Sequence, residues 1–304
     1  MEKRIIFHPL LSARFEDFGL SIPIEDDRAK KVVDNLSVKI PHVDMNLITP
    51  LTKNDLKNVH SVEFVNDFFN STFQEMIYNT YDLQNYPETK AIQYDEFRKH
   101  LLIQGGASFF GLSRMLEDDF AMFLGGGMHH ARYESGHGFC PYHDFLSAYF
   151  KLGLNAKDLI VIDIDAHQGD GTADIGNRLG VNTISFHMKS GWPLTDPKIK
   201  KINSTIDIGI SSADEDTIIK QTRECLETIG DYKYAIVVAG TDAYEKDELP
   251  GTESLNFKLE TMKNWQLEIY NFLKGNNTKQ FWLCAGGYGS ESWRPTHAFL
   301  EEIL

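Results

Sequence analysis

This 304-residue chain has few cysteines and no long apolar run. The three cysteines, Cys140, Cys225 and Cys284, are an odd and sparse set, which argues against a disulfide framework and favours a reducing compartment. No apolar stretch approaches the roughly 18 residues that a membrane span needs, and the run at residues 5–7 is too short for a signal peptide. These absences predict a cytoplasmic protein without a membrane span.

Basic residues are outnumbered, with 30 lysines and arginines against 44 aspartates and glutamates and a net charge of −14. This balance argues against direct nucleic-acid binding. It is compatible with a cationic partner such as a lysine-containing peptide or a polyamine, although plain solubility is the simpler explanation. With 42% hydrophobic residues and no repeat or linker, residues 1–304 are predicted to form one domain.

Four short apolar runs are followed by small residues and then by histidine, aspartate or tyrosine. They are typical of strands buried on both faces and cover residues 120–124, 159–162, 234–238 and 280–284. Helical patterns alternate with them at 144–152, behind a capping Asp144, and at 216–229 and 257–273. The alternation predicts a single-domain α/β fold, a parallel sheet with helices on both faces. Because ligands bind at the carboxyl ends of such strands, these polar residues are expected to form one active site.

The first 100 residues are less regular. Residues 5–8 are predicted to form an edge strand, and residues 28–36 and 54–69 to form helices. Residues 78–96, with Tyr86-Pro87, are predicted to form a long loop over the pocket, because long loops in compact domains are often functional.

A metal site is predicted from the residues that follow the second and third of the four strands. Asp165 and His167 are two apart after a buried strand, so their side chains point the same way, as does that of Asp163 one step deeper. With Asp242 they form a set of one histidine and two carboxylates. Such a set binds zinc with one position open, and it would also hold Fe²⁺ or Co²⁺.

Acid–base chemistry is predicted for His129 and His130, which follow a glycine-rich turn. Two histidines beside a metal are suited to deprotonate water and to protonate a leaving group. Each needs a carboxylate to set its tautomer, and Asp163 and Asp170 are the nearest candidates. Tyr288, between Gly287 and Gly289, can donate to a carbonyl oxygen as negative charge develops.

Five ordered motifs carry a family resemblance: Gly125-Gly126-Gly127-Met128-His129-His130, Gly138-Phe139-Cys140, residues 163–171, Ala239-Gly240-Thr241-Asp242 and Gly286-Gly287-Tyr288. With them the chain resembles the histone deacetylase family, of the arginase/deacetylase fold, from about residue 104 onward. The motif Asp-Ala-His-Gln-Gly, the motif Gly-Phe-Cys and the short chain are most similar to the class IV branch. The resemblance implies a zinc-dependent amidohydrolase that removes acetyl or longer fatty-acyl groups from lysine side chains.

The resemblance also implies a role for each site residue. The zinc ligands would be Asp165, His167 and Asp242. His130 would be the general base and acid, with His129 as its electrostatic partner. Asp163 and Asp170 would be the carboxylates behind His129 and His130, respectively. Tyr288 would polarise the scissile carbonyl.

Substrate contacts and a second cation follow from the same resemblance. Phe139 and Trp192 would line opposite walls of the acyl tunnel, and the Gly138 carbonyl would accept the substrate N–H. A structural potassium ion would be bound by Asp163, Asp165, His167, Ser185 and Phe186, the last two in a strand at residues 183–187. Some members carry an acidic loop residue that holds the substrate backbone, and Asp95 and Glu96 lie in the corresponding region.

Three other functions fit the motifs less well. An arginase-like enzyme with two Mn²⁺ ions needs further carboxylates, but Gly169 and Tyr244 stand where they would be required. An amidohydrolase acting on acetylpolyamines or other small acylated amines remains the alternative within the same chemistry. A non-catalytic metal-binding protein is disfavoured because all the catalytic residue types are present.

Overall fold

Seven strands form one sheet: β1 (Arg4–Ile6), β2 (Phe120–Phe123), β3 (Leu159–Asp163), β4 (Asn182–Met188), β5 (Ile206–Ile210), β6 (Tyr234–Val238) and β7 (Lys279–Leu283). Their order is β1-β2-β7-β6-β3-β4-β5, and every neighbouring pair is parallel. The structure is a computed structural model that describes residues 4–86, 88 and 90–304. The parallel sheet predicted from the apolar runs is confirmed.

Eleven α-helices are found in the described residues: α1 (Phe15–Phe18), α2 (Arg28–Asn35), α3 (Lys53–Leu56), α4 (Val62–Phe68), α5 (Phe73–Thr80), α6 (Tyr94–Asp118), α7 (Asp144–Lys151), α8 (Asp170–Leu179), α9 (Glu215–Leu226), α10 (Leu259–Gly275) and α11 (Arg294–Ile303). Helices α6 and α7 cover one face of the sheet, and α2, α9, α10 and α11 cover the other. No helix within the described ranges combines the length and the apolar character that crossing a membrane would require.

Side chains of the central strands alternate between the two covered faces, as strands buried on both sides require. In β3, Leu159 and Val161 belong to the core beneath α6 and α7, whereas Ile160 and Ile162 belong to the core with α10. The alternation continues past the strand end, where Ile164 packs with Ile162. It therefore leaves the odd-numbered polar residues after β3 on one side.

A third apolar core joins the N-terminal helices to the region of the motifs. Phe68 of α4 and Phe73 of α5 pack with Phe97 of α6 and with Tyr142. The ring centroids of Phe68 and Tyr142 lie 5.4 Å apart. The first 100 residues thus form one wall of the region where the strands end.

Two N-terminal predictions were wrong in detail. Residues 54–69 form two helices rather than one, because Ser61 begins α4 by accepting a 3.1 Å hydrogen bond from the Phe64 N–H. The loop predicted for 78–96 is shorter, since α5 ends at Thr80 and α6 begins at Tyr94. Pro87 in this segment lies outside the described residues. Strand β5 was missed because Asp207 and Gly209 interrupt its apolar pattern.

Gly111 allows α6 to lie close to the sheet. A Cβ atom at this position would lie 2.3 Å from Cε2 of Phe281. A Gly→Ala change at an exposed helix position raises the free energy of unfolding by up to about 1 kcal/mol, whereas overpacking a core lowers it by about 1–3 kcal/mol. We expect Gly111→Ala to lower the free energy of unfolding, measured by urea denaturation. Gly275→Ala is the matched control, because a Cβ there meets nothing within 4 Å. Equal effects of the two changes would contradict this reading of the packing.

Candidate active site

The predicted metal ligands come together where β3 and β6 end. These strands are neighbours, with Asp163 in register with Val238, so the residues that follow them meet at one edge of the sheet. The Nδ1 atom of His167 lies 3.2 Å from Oδ1 of Asp165 and 2.8 Å from Oδ2 of Asp242. One potential ligand atom from each of the three residues lies within 4.8 Å of the others, and all three residues are buried.

The donor set fits a divalent cation. Oδ2 of Asp242 is buried and, although Nδ1 of His167 approaches it to 2.8 Å, it accepts no well-aligned hydrogen bond among the described residues, which leaves a lone pair for a metal. Burial and the neighbouring charge of Asp165 raise the pKa of Asp242 to about 6. A bound cation would relieve this repulsion. Small residues leave the room required, since a Cβ on Gly240 or Gly286 would lie 2.2 or 2.4 Å from Oδ2 of Asp165.

His129 and His130 each have a carboxylate of their own. Nδ1 of His129 lies 2.7 Å from Oδ2 of Asp163, and Nδ1 of His130 lies 2.7 Å from Oδ1 of Asp170. Nε2 of His129 lies 3.7 Å from Oδ1 of Asp165. A carboxylate at Nδ1 keeps the proton on that nitrogen and leaves Nε2 free for chemistry. The structure therefore pairs these residues as the sequence predicts.

The two histidines differ in charge. Burial alone would lower the pKa of His129, but the carboxylates of Asp163 and Asp165 raise it to about 9. Burial and then the neighbouring positive charge of His129 lower the pKa of His130 to about 3, and the hydrogen bond with Asp170 does not offset them. These shifts favour the charged form of His129 and the neutral form of His130. Only a neutral imidazole can accept a proton, so these shifts make His130 the better suited of the two to act as a base.

Asp144 holds the turn that carries both histidines. It begins α7, but its carboxylate does not cap that helix as the sequence predicted. Instead it accepts hydrogen bonds from the N–H groups of Gly127 and Met128, at 3.2 and 2.8 Å, and from the Ser108 hydroxyl at 2.8 Å. Gly127 has a φ of +79°, which favours glycine. An aspartate at a helix start looks the same in sequence whether it caps or not.

Arg28 holds the turn that carries Tyr288, and sequence reasoning missed it. Its guanidinium donates hydrogen bonds to four successive carbonyls, those of Cys284, Ala285, Gly286 and Gly287, at 2.8–3.2 Å. The Tyr288 N–H donates to the carboxylate of Asp247 at 2.7 Å. Contacts with backbone carbonyls more than 250 residues away leave no signal in the sequence, so only the fold shows them.

A groove of about 850 Å³ leads to these residues from the surface. Phe139 and Trp192 both line it, as predicted, together with Gly138 and Tyr288. The Phe139 ring lies 6.1 Å from that of Tyr288, and the Trp192 ring lies 4.6 Å from that of His130. Trp192 also lies against Gly138, where a Cβ would meet its ring at 2.4 Å. Aromatic walls of this kind suit an aliphatic chain with a polar end.

A second, smaller cavity of about 100 Å³ lies on the inner side of the same residues. His129, His130, Phe139 and Tyr288 line it together with apolar side chains from the N-terminal region and from the turn after β2, among them Phe15, Ile24, Leu124 and Met128. It also includes Arg28 and Gln104. The site thus has an outer groove and an inner cavity that share the predicted catalytic residues.

The remaining predicted residues have different outcomes. Ser185 is in register with Asp163 and accepts a 3.3 Å hydrogen bond from the Gly169 N–H. The Phe186 side chain is buried in the core. Potassium binding by these residues stays a prediction. Asp95 and Glu96 lie at the start of α6 and form ion pairs with Arg98 and Lys99. They are absent from the lining described for the groove, whose acidic residues are Asp82 and Asp196.

Comparison with known proteins identifies the family. The model of the histone deacetylase domain matches residues 22–300. The chain belongs to the histone deacetylase family. It is 27% identical to histone deacetylase 2 of Arabidopsis thaliana over 268 residues, which are 84% of this chain and 67% of that protein. It is 25% identical to histone deacetylase clr6 of Schizosaccharomyces pombe over 289 residues, 89% of this chain and 69% of that protein.

A solved structure supports the same fold. The crystal structure of the HDA15 HD domain is similar with a TM-score of 0.73, at 17% identity, over 99% of this chain and 89% of that chain. The arginase/deacetylase-like fold is therefore confirmed. Membership of the histone deacetylase family supports a hydrolase of the deacetylase class.

Loss of one ligand should remove the metal. In Asp242→Ala only Asp165 and His167 would remain, and a three-ligand site has little redundancy. We expect bound transition metal per chain to fall more than about 10-fold in elemental analysis of dialysed protein. Asp196→Ala, a change in the outer groove away from the three ligands, is the control and should keep its metal. Full occupancy in Asp242→Ala would contradict the assignment.

Proposed function

We propose that this protein is a zinc-dependent lysine deacylase that hydrolyses acetyl or longer acyl amides of lysine side chains in proteins or peptides. The observation that carries the proposal is the placing of two histidines, each hydrogen-bonded to its own carboxylate and with opposite pKa shifts, beside the buried set of Asp165, His167 and Asp242. The family match supports the same class of reaction.

Each of the predicted site residues has a task in the proposed reaction. Phe139 and Trp192 hold the aliphatic stem of the acyl-lysine, and the Gly138 carbonyl accepts its amide N–H. Neutral His130 takes a proton from the attacking water and later returns it to the leaving amine. Tyr288 donates its hydroxyl hydrogen to the carbonyl oxygen as that oxygen gains charge. When bound by the three ligands, zinc supplies a Lewis acid that polarises the carbonyl and acidifies water.

The state of Tyr288 suits this task. Its side chain is buried, and burial, together with the negative charges of Asp242 and Asp165, raises its pKa well above the usual value. The phenol is therefore a neutral donor throughout the physiological range. Arg28 and Asp247 fix the turn around it, so the hydroxyl needs little reorganisation during the reaction.

The inner cavity supports acyl groups longer than acetyl. It begins at His130 and Tyr288, where the acyl carbon would lie, and continues between apolar side chains such as Leu124 and Met128. Its volume of about 100 Å³ is enough for several water molecules, which an acyl chain would displace. Burial of each additional methylene contributes about 0.8 kcal/mol.

Finer aspects of the proposal concern the branch, the second cation and the location. We include a class IV placement, from the forms of the Asp-Ala-His-Gln-Gly and Gly-Phe-Cys motifs, and a structural potassium ion near Ser185. Cys140, Cys225 and Cys284 are all free thiols, which suits a reducing compartment such as the cytoplasm.

The assignment of the base leads to a test with acetyl-lysine peptide as substrate. His130→Ala should lower kcat by about 10²–10⁴-fold, because it removes the neutral acid–base group, while metal content stays at the wild-type level. His129→Ala should lower kcat less. If His129→Ala were the more damaging change, the two roles would be reversed.

Acetylspermidine assayed in parallel separates the substrate classes: faster hydrolysis of this polyamine would favour the small-amine alternative. Inactivity of wild-type protein with bound zinc on both compounds would contradict the proposed function.

Acyl length gives an independent test. We expect kcat/KM to rise from acetyl to octanoyl to myristoyl lysine peptides of one sequence, as additional methylenes enter the inner cavity. Ala13 also lines this cavity, and Ala13→Phe should reduce the gain from longer chains while sparing acetyl-lysine. A steep fall in kcat/KM beyond acetyl in the wild-type protein would limit the enzyme to short acyl groups.

A further inference from the structure

The segment of residues 189–201 carries a net positive charge, whereas the chain as a whole is acidic. It contains four lysines, Lys189, Lys198, Lys200 and Lys201, and one acidic residue, Asp196, whereas the whole chain has a net charge of −14. Trp192, which lines the outer groove, belongs to the same segment. The local excess of positive charge therefore lies at the mouth of the active site.

Lys198 and Lys200 line the outer groove and are exposed. Within the described part of the chain, no acidic group lies within ion-pair distance of either ammonium group. The carboxylate of Asp196 accepts a 2.8 Å hydrogen bond from the backbone N–H of Lys198 and does not pair with its side chain. The two ammonium groups are therefore available to a bound molecule.

The segment is held in place by the catalytic region. The Arg132 guanidinium forms an ion pair with the Asp170 carboxylate, which also binds His130, and donates a 2.8 Å hydrogen bond to the Lys200 carbonyl. Gln168, next to the metal ligand His167, donates at 3.1 Å to the carbonyl of Ile202. The backbone that carries the lysines is thus fixed relative to the site.

The other charges around the groove define its polarity. Arg132 is neutralised by its ion pair with Asp170. Asp82 belongs to the segment of Tyr86, whose ring lies 5.8 Å from that of Phe139, and its carboxylate accepts a 2.7 Å hydrogen bond from the Asn85 amide. The positive groups of the groove that lack an ion pair within the described residues are therefore on the side of Lys198 and Lys200.

We propose that Lys198 and Lys200 select acyl-lysine substrates that carry acidic residues next to the acylated lysine. The proposal rests on the proposed deacylase function and concerns its substrate class. Carboxylates of the peptide would complement the lysines on one wall, while the acyl-lysine enters between Phe139 and Trp192. An acidic substrate would be repelled by most of this acidic protein, so these lysines provide the local attraction.

Peptides that differ only in flanking charge test the proposal. Each carries one acyl-lysine, flanked by glutamate, glutamine or lysine. We expect wild-type kcat/KM to be higher for the glutamate peptide than for the glutamine peptide, by about 2- to 5-fold per exposed ion pair. The preference should decline between low and high salt, because exposed charges are screened. The lysine-flanked peptide should be the poorest substrate.

A charge reversal with a matched control isolates the two lysines. Lys198→Glu/Lys200→Glu should reverse the ratio of kcat/KM for the glutamate peptide to kcat/KM for the glutamine peptide. Lys220→Glu/Lys274→Glu changes the net charge by the same amount on α9 and α10 and should keep the wild-type preference. If both double variants shifted equally, or if wild type did not distinguish the peptides, the proposal would be wrong.

The outcomes separate this inference from the proposed function. Turnover of the glutamine peptide with no effect of flanking charge would leave the deacylase function standing and refute the charge selection. Fluorescence anisotropy with the same labelled peptides gives the comparison without turnover. The inference therefore stays testable by affinity even if no peptide is hydrolysed, a result that would count against the function alone.

Discussion

The site depends on three carboxylates held together in a buried place. Asp163, Asp165 and Asp242 are each no more than 1% exposed, at the ends of two neighbouring strands. Buried like charges repel one another and have lost their hydration, so they require cationic partners. Protonated His129 is one partner, and the implied metal, bound together with His167, is the other. The carboxylates raise the pKa of His129, whereas burial and the positive charge of His129 lower the pKa of His130, so His130 is the better suited of the two to act as a base.

Buried charged groups also determine the shape of the loops around this centre. Arg28 binds four carbonyls of the Tyr288 turn, Asp144 binds the turn of His129 and His130, and Asp170 connects His130 to Arg132. Each group is satisfied by several hydrogen bonds, which is the condition under which a buried charge stabilises a single conformation. The predicted catalytic residues His129, His130 and Tyr288 are on loops, yet these contacts hold them in fixed positions.

In the proposed reaction, the outer groove and the inner cavity would recognise the substrate through two kinds of interaction. Apolar side chains such as Phe15, Leu124 and Met128 line part of the cavity, and burial of an acyl chain against them would not depend on salt. The groove is open and carries charged residues, so electrostatic attraction to residues around an acyl-lysine would depend on salt. The two regions meet at Phe139, His130 and Tyr288, where the amide would lie.

The sequence by itself determined the parallel sheet, most of its strands and the group of polar residues that meets where β3 and β6 end. Buried strands need uninterrupted apolar runs, and polar residues directly after them must meet at one edge of a parallel sheet. Local patterns carried less information where short helices and partly buried strands were concerned, so β5 and the break at Ser61 were missed. Only the tertiary structure decided the contacts of Arg28 and Asp144 and the difference in charge between His129 and His130. Those properties depend on burial and on groups distant in the chain, which no local pattern records.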